Sequence, residues 1–425
     1  MKRRIVLALM GLMIIGTLAG CGAITSASNT GDSGSATTAE VTSTKVANSE
    51  NATSTIDDYK ALTVNTDWEE KASVTFTESG MTIDGAGATN EDGVLCITEG
   101  GAYTLTGSSS ATSIVINTEE NVKLILNGVE LTSTNGPVIY GAQVKNLYIE
   151  LASGTTNTLE DSSDYATDSS SGEEIGKGVI SCEDDIIILG DGTLNITANH
   201  KHGIVSDDKL YIESGNINIV SKGTDGIHAN DLISIDGGSI NIEAASDMME
   251  SEDLFVINGG TITGSSDDEG LEAKGSIYIY GGEIDITTVD DAINAGYYIE
   301  INDGKITVTS TNGDAIDCNG NYDGCITING GEVNATGAQV PEGALDADEA
   351  SVIINGGKVT ASGGCNSPII ENGGENNITG ETSTGGGPGG GFGGNGGPGG
   401  NGGQKPDGEP PEGFSEGERP ELPSK

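Results

Sequence analysis

Acidic residues recur in this chain at an interval that a fold could stack. Asp225, Asp247, Glu269 and Asp291 follow one another at a 22-residue spacing, and Asp314 takes the next place once an insertion in its repeat is allowed for. Three residues beyond these positions stand His228, Glu250, Glu272 and Asn294, then Asp317 and Asp346. Asp268 and Asp290 add neighbouring carboxylates in Ser266-Asp267-Asp268-Glu269 and Val289-Asp290-Asp291. A further set comprises Asp185, Asp208, Asp231 and Asp253, flanked by Asp184, Asp207, Asn230 and Glu252. Like charges stacked about 5 Å apart repel by ~1 kcal/mol even at the dielectric of bulk water, and by more where water is excluded. A cation would offset that repulsion, and Ca²⁺ takes six to eight oxygens in irregular geometry. The expected cofactor is therefore Ca²⁺, with Asp225, Asp247, Glu250, Asp268, Glu269, Glu272, Asp290, Asp291, Asp314 and Asp317 as candidate ligands. The competing reading is a solvated acidic face that keeps the molecule soluble and discourages edge association. No EF-hand loop is present. Zinc is not expected, because His200, His202 and His228 share no metal-ligand spacing with the cysteines.

The elements that must position these residues follow from an internal repeat. A glycine turn ends at Gly192, Gly215, Gly238, Gly260, Gly282, Gly304, Gly331 and Gly357, at intervals of 22 to 27 residues. Apolar residues stand five and three positions before that glycine, as in Ile233 and Ile235 or Ile299 and Ile301, and two positions after it, as in Ile240 and Ile306. Alternation of period two marks strands that bury one face. A third short apolar site precedes each pair at Ile204, Ile227, Met249, Leu271, Ile293, Ile316 and Leu345. Three short strands per repeat make one coil of a parallel β-helix, and only stacked coils can share an aliphatic core. The fold class is all-β, a solenoid of roughly a dozen coils, a rod on the order of 55 to 60 Å long at about 4.8 Å per coil. Asp236, Asn258, Asn302, Asn329 and Asn355, interrupted by Tyr280, suit a ladder of amides bonded from coil to coil.

Composition sets outer limits. The 425 residues include 68 glycines, and 18 basic against 65 acidic side chains give a formal charge of −47. Nucleic acid and anionic lipid would be repelled, so no nucleic-acid partner is expected. Residues 1–21 have a basic start, an apolar run and Leu18-Ala19-Gly20-Cys21, the pattern of a lipoprotein signal with Cys21 as the lipidated residue. The expected location is the outer face of the cytoplasmic membrane, contacting it only through that lipid. Residues 22–60 are expected to be a flexible Ser/Thr/Ala linker, 61–375 the β-helix, and 376–425 a Gly/Pro-rich disordered tail. Five cysteines remain after Cys21. Cys96 and Cys182 sit in strand-like contexts, Cys318 aligns with Ala229, Ala273, Ala295 and Ala347, and a Cys318–Cys325 bridge stays open as an alternative.

Gly101-Ala102-Tyr103-Thr104-Leu105-Thr106-Gly107, the segment Val122 to Gly128, Gly154-Thr155-Thr156-Asn157-Thr158-Leu159, His202-Gly203-Ile204 and Asp225-Gly226-Ile227-His228-Ala229 together resemble a family of secreted bacterial carbohydrate-binding (cellulose- and pectin-binding) β-helix domains. The resemblance spans about residues 65–370. It implies a right-handed parallel β-helix, related in shape to pectate lyases, that binds cellulose and acidic pectic polymers with calcium at its surface. The function expected is non-catalytic, calcium-dependent binding of an extracellular polysaccharide, with uronate polymers favoured by the charge pattern. Tyr278, Tyr280, Tyr297 and Tyr298 are the candidate sugar contacts. Two alternatives stand beside this. One is a polysaccharide lyase, which would need a lysine base such as Lys201, Lys209, Lys222 or Lys274, since arginine occurs only at positions 3, 4 and 419. The other is an adhesive or structural surface protein without a sugar ligand.

Overall fold

A computed structural model describes residues 59, 64, 65 and 67–379, except 321, 340, 349 and 366. Cys21, the expected signal and nearly all of the expected linker and tail lie outside these residues. The described chain is all-β, a parallel solenoid of about twelve turns with no helix among the described residues.

One coil shows why the repeat folds this way. Ile227–Ala229, Leu232–Ile235 and Ser239–Ala244 are its three strands, and they pair in parallel register with Met249–Ser251, Leu254–Ile257 and Thr261–Ser266 of the next coil. Identical pairing places Ile227, Met249, Leu271 and Ile293 in one inward column, each fully buried. Burial of each such side chain stabilises the fold by about 1.5–3 kcal/mol. The polar residue between two inward positions must then face out, and this sets up the acidic ladders. The turns need glycine for two reasons at Gly282. Its φ is +96°, and a Cβ there would come within 2.9 Å of the Gly260 carbonyl oxygen in the coil before.

The amide ladder is present and extends one rung further than expected. Asn258 donates to Asp236 Oδ1 at 2.6 Å, Asn329 to Asn302 at 3.0 Å, Asn355 to Asn329 at 2.8 Å and Asn372 to Asn355 at 2.9 Å. Where Tyr280 occupies the rung before Asn302, the buried Asn302 Nδ2 has no acceptor. Cys318 lies in the small-residue column beside Ala295. No disulfide joins the buried Cys182, Cys318, Cys325 and Cys365; Cys325 Sγ instead lies 3.8 Å from the Cys318 carbonyl oxygen, so the Cys318–Cys325 alternative is not realised. Cys96 is buried in the core, as its strand context suggests.

Three features depart from the repeat. At the N-terminal end Glu70–Thr77 pairs antiparallel with Gly80–Gly85, and Ala88–Glu91 pairs antiparallel with Val94–Ile97, so the first coil is capped by hairpins. The cap matters because an open end would expose a row of unpaired backbone groups. At the other end the strand Glu375–Thr379 runs across the boundary placed at residue 375. Tyr59, assigned to the linker, is seated on the rod. Its hydroxyl lies 3.2 Å from Ser234 Oγ and accepts a bond from Asn258 Nδ2 at 3.0 Å. Together with Val64 and Trp68 it packs on an outward apolar stripe formed by Tyr148, Ile187, Tyr211, Leu232, Leu254, Val256 and Tyr278.

Candidate functional site

The face carrying the short strands brings the two acidic columns together. The outward residues of consecutive strands pair as His228 with Glu250, Glu250 with Glu272, Glu272 with Asn294 and Asn294 with Asp317, and a bridge continues from Asp317 to Asp346. Alongside runs the second column. Its backbone is tied coil to coil by amide bonds from Gly226 to Asp247, Met248 to Glu269, Gly270 to Asp291 and Ala292 to Asp314. The regular spacing in sequence thus becomes vertical stacking in space. The third acidic set is out of step by one residue at its first member, while Asp208, Asp231 and Asp253 stand level. Ile186 pairs with Leu210, so Lys209, not Asp208, stands level with Asp185. Burial raises the Asp185 carboxyl to about 6, against the opposing pull of Lys209.

Part of the expected repulsion is offset without a metal ion. Backbone N–H groups of the following coil donate to these carboxylates: Asp247 to Asp225 Oδ1 at 3.3 Å, Glu269 to Asp247 Oδ1 at 3.0 Å, and Asp314 to Asp291 Oδ1 at 2.7 Å. Gly343 does the same for Asp314 at 2.5 Å. Side-chain nitrogens supply the rest at one end of the ladder. His202 Nδ1 lies 2.9 Å from Asp225 Oδ2, His228 Nδ1 lies 3.0 Å from Glu250 Oε2, and Lys274 Nζ bridges Glu250, at 3.0 Å, and Glu272. Burial disfavours the Asp225 anion, yet hydrogen bonds from both histidines hold its carboxyl far below the usual range. Lys274 stays charged well above its ordinary range, because the paired glutamates outweigh burial.

At the other end of the ladder, the charged side chains of largest effect on Asp291, Asp314 and Asp317 are other carboxylates. Among the described residues no ion pair reaches Asp291, Asp314 or Asp317. Burial, then the repulsion of neighbouring carboxylates, raises Asp291 to about 7 and Asp317 to about 9, and pushes Asp314 upward as well. Asp247 and Glu269 are also both raised, chiefly by burial, and they share a hydrogen bond. Near neutral pH these groups hold protons or require another positive charge. The donors are carboxylate oxygens, which suit a hard cation such as Ca²⁺. Asp268, Glu269 and Asp290 likewise bring one oxygen each within 4.8 Å of one another.

The tyrosines divide into two places. Tyr278 is only 1 % exposed and lies edge-on to Tyr298, with centroids 5.7 Å apart, so it is corrected from sugar contact to buried packing. Tyr280 and Tyr298 border the same stripe and are half-buried. Tyr297 pairs instead with Tyr322, from the insertion after Cys318, at 5.6 Å. Sequence reasoning passed over Trp68, which packs edge-on to Tyr148 at 4.9 Å and borders an open cleft of about 260 Å³ with Glu69, Lys71 and Glu120. Its position beside Tyr148 depends on contacts across distant segments, for which the local pattern holds no signal.

Comparison with known proteins adds the following. A family model described as "Carbohydrate-binding domain-containing protein" matches in two overlapping stretches, residues 91–290 and 253–387. A curated protein of that same description from Acetivibrio thermocellus is 33 % identical over 129 residues, 28 % of this chain and 45 % of the relative. The chain therefore matches less than half the length of that relative. A solved structure described as a polysaccharide lyase-like protein from C. thermocellum, a gadolinium derivative, aligns with a TM-score of 0.46 at 27 % identity, over 51 % of this chain and 94 % of that one.

Proposed function

The chain belongs to the family of carbohydrate-binding domain-containing proteins, and from that premise we propose that it binds an acidic extracellular polysaccharide without cleaving it, through calcium held on the acidic ladder. The observation that carries this reading is the end of the ladder at Asp291, Asp314 and Asp317, which no ion pair reaches among the described residues. Asp291 and, one coil further on, Asp314 and Asp317 are buried or half-buried carboxylates raised in pKa by burial and by neighbouring acids, an all-oxygen set suited to Ca²⁺. The charge argument points to the same place. A protein of charge −47 attracts a polyuronate only where bound cations reverse the local sign. Asp268, Glu269 and Asp290 adjoin this region and extend the candidate set.

Absence of catalysis is supported by the state of the lysines. Lys274 is held charged between Glu250 and Glu272, the opposite of what a general base needs. Lys201 is paired with Glu174, and Lys222 donates to Asn199 Oδ1 at 2.8 Å. We place the protein at the cell surface, anchored by lipid on Cys21.

The test is a pull-down of the full chain with polygalacturonate and with cellulose, each with millimolar calcium or with EDTA, assayed in parallel for unsaturated uronate and new reducing ends. The expected result is retention on polygalacturonate that needs calcium, with no product. The triple variant Glu269→Gln, Asp290→Asn, Asp291→Asn should lose uronate affinity and keep any affinity for cellulose. Retention in EDTA, or uronate binding unchanged in that variant, would remove calcium bridging. Unsaturated uronate would make the protein a lyase, and new reducing ends without it a hydrolase.

A further inference from the structure

We propose that His202, Asp225 and His228 form a binding site for a borderline divalent cation of the zinc class, separate in chemistry from the oxygen-only end of the ladder. The two histidines are 26 residues apart in sequence and one coil apart in space, on strands whose register pairs Ile204 with Ile227. Their rings lie 4.9 Å apart with planes inclined by 31°, and both present Nδ1 to the same oxygen, Asp225 Oδ2, at 2.9 and 3.6 Å. Ligands at about 2.0–2.1 Å around a tetrahedral zinc ion stand about 3.3 Å from one another, a spacing these two separations straddle. One nitrogen of each ring and one Asp225 oxygen lie within 4.8 Å of one another.

The hydrogen-bond network around His228 fixes which nitrogen is available. Asn230 Nδ2 donates to the Asp207 carbonyl oxygen at 3.0 Å, so its Oδ1 is the atom that faces His228 Nε2 at 3.3 Å. An oxygen there can only accept, so Nε2 carries the proton and donates. Nδ1 then faces two carboxylates, Glu250 Oε2 at 3.0 Å and Asp225 Oδ2. A lone pair pointed at two anions is repulsive, so that position requires a positive charge, which is either a proton or a metal ion. An outward donor bond that fixes the tautomer is also the usual support for a metal-bound imidazole. His202 Nδ1 has Thr224 Oγ1 at 3.1 Å as well as Asp225. The side chains are 15, 5 and 14 % exposed, enough for an ion to enter and little enough to exclude bulk water. Two imidazole nitrogens and one carboxylate suit zinc, whereas Ca²⁺ is bound through oxygen.

The test uses the full chain and the metals alone. Zinc titrated calorimetrically in the presence of millimolar calcium should bind one site with micromolar or tighter affinity. His228→Gln and His202→Gln should each weaken it at least tenfold, while Glu332→Gln, at an exposed pair with Lys358, leaves it unchanged. Cobalt(II) in place of zinc should give visible bands of nitrogen and oxygen ligation without the charge-transfer band of a thiolate. Calcium displacing zinc at equal stoichiometry, unchanged affinity in folded histidine variants, or a thiolate band would overturn the proposal. Should both histidine variants fail to fold, the cobalt spectrum of the unaltered protein decides, and no visible band refutes the site.

Discussion

Asp317→Asn should stabilise the calcium-free protein, although it removes a charged side chain from the proposed calcium site. Burial, followed by the charges of Asp291, Asp314, Asp346 and Asp348, raises the Asp317 carboxyl to about 9, whereas an unfolded aspartate ionises near 3.9. Folding at pH 7 in EDTA therefore takes up a proton at this residue, which costs about 1.4 kcal/mol for each of about three pH units, or about 4 kcal/mol. An amide carries no such cost. It also keeps the local bond, because Asn319 Nδ2 donates to Asp317 Oδ2 at 3.0 Å and an amide oxygen accepts equally well. The gain expected is therefore about 2–4 kcal/mol. With calcium at a hundredfold excess over Kd, the unaltered protein recovers about 2.7 kcal/mol that the variant, short of one ligand, recovers only in part. The difference between the two proteins should thus shrink or change sign on adding calcium. Urea unfolding followed by circular dichroism, compared at the midpoint in EDTA and in calcium, measures this. A variant less stable than the parent in EDTA, or one whose midpoint shifts with calcium as much as the parent's, would refute the reasoning.

Asp291 at about 7 and Asp317 at about 9 both lie above their unfolded values, so the fold binds protons that the unfolded chain does not, and melting midpoints in EDTA should fall between pH 6 and pH 9. His228, raised to about 10 from 6.5 by Asp225 and Glu250 against the effect of burial, acts in the same direction, and a flat or rising midpoint over that range would contradict both. Lys274→Met should destabilise by about 1–2 kcal/mol by leaving Glu250 and Glu272 without their shared cation, and the loss should be smaller at pH 5 than at pH 8. Gly264→Ile would restore an aliphatic residue between Ile242 and Ile286, yet it should lower the unfolding midpoint by the equivalent of about 2 kcal/mol or more, because φ there is +146° and a Cβ would overlap the Ile242 carbonyl oxygen.

The solenoid was legible because its signal repeats. Ile227, Met249, Leu271 and Ile293 recur at 22 residues since each must meet the same neighbour one coil away, and stacking at a fixed rise turns periodicity in sequence into columns in space. The same logic located both acidic ladders and the asparagine ladder before any coordinates. It slipped by one residue at Asp185, where the repeat before Lys209 differs in length and only backbone pairing reveals the register. It gave no account of the hairpin cap, which occurs once and so leaves no period.

The state of each carboxylate was decided by tertiary structure. In sequence, Asp225 and Asp314 are equivalent members of one column. In the fold, His202 and His228 stand beside Asp225, while Asp314 has only Asp291 and Asp346 as its charged neighbours of largest effect, so one carboxyl is held low and the other is pushed up. Tyr278 and Tyr298 share a pattern of alternation, yet only the packing of the outer stripe buries the first and leaves the second half-exposed. A repeat specifies which residues lie above one another, because that follows from chain length per coil. Charge, protonation and access depend on what approaches from the side, and those neighbours come from breaks in the repeat: a histidine in place of an acid, one lysine, and a segment folded back from the N-terminus.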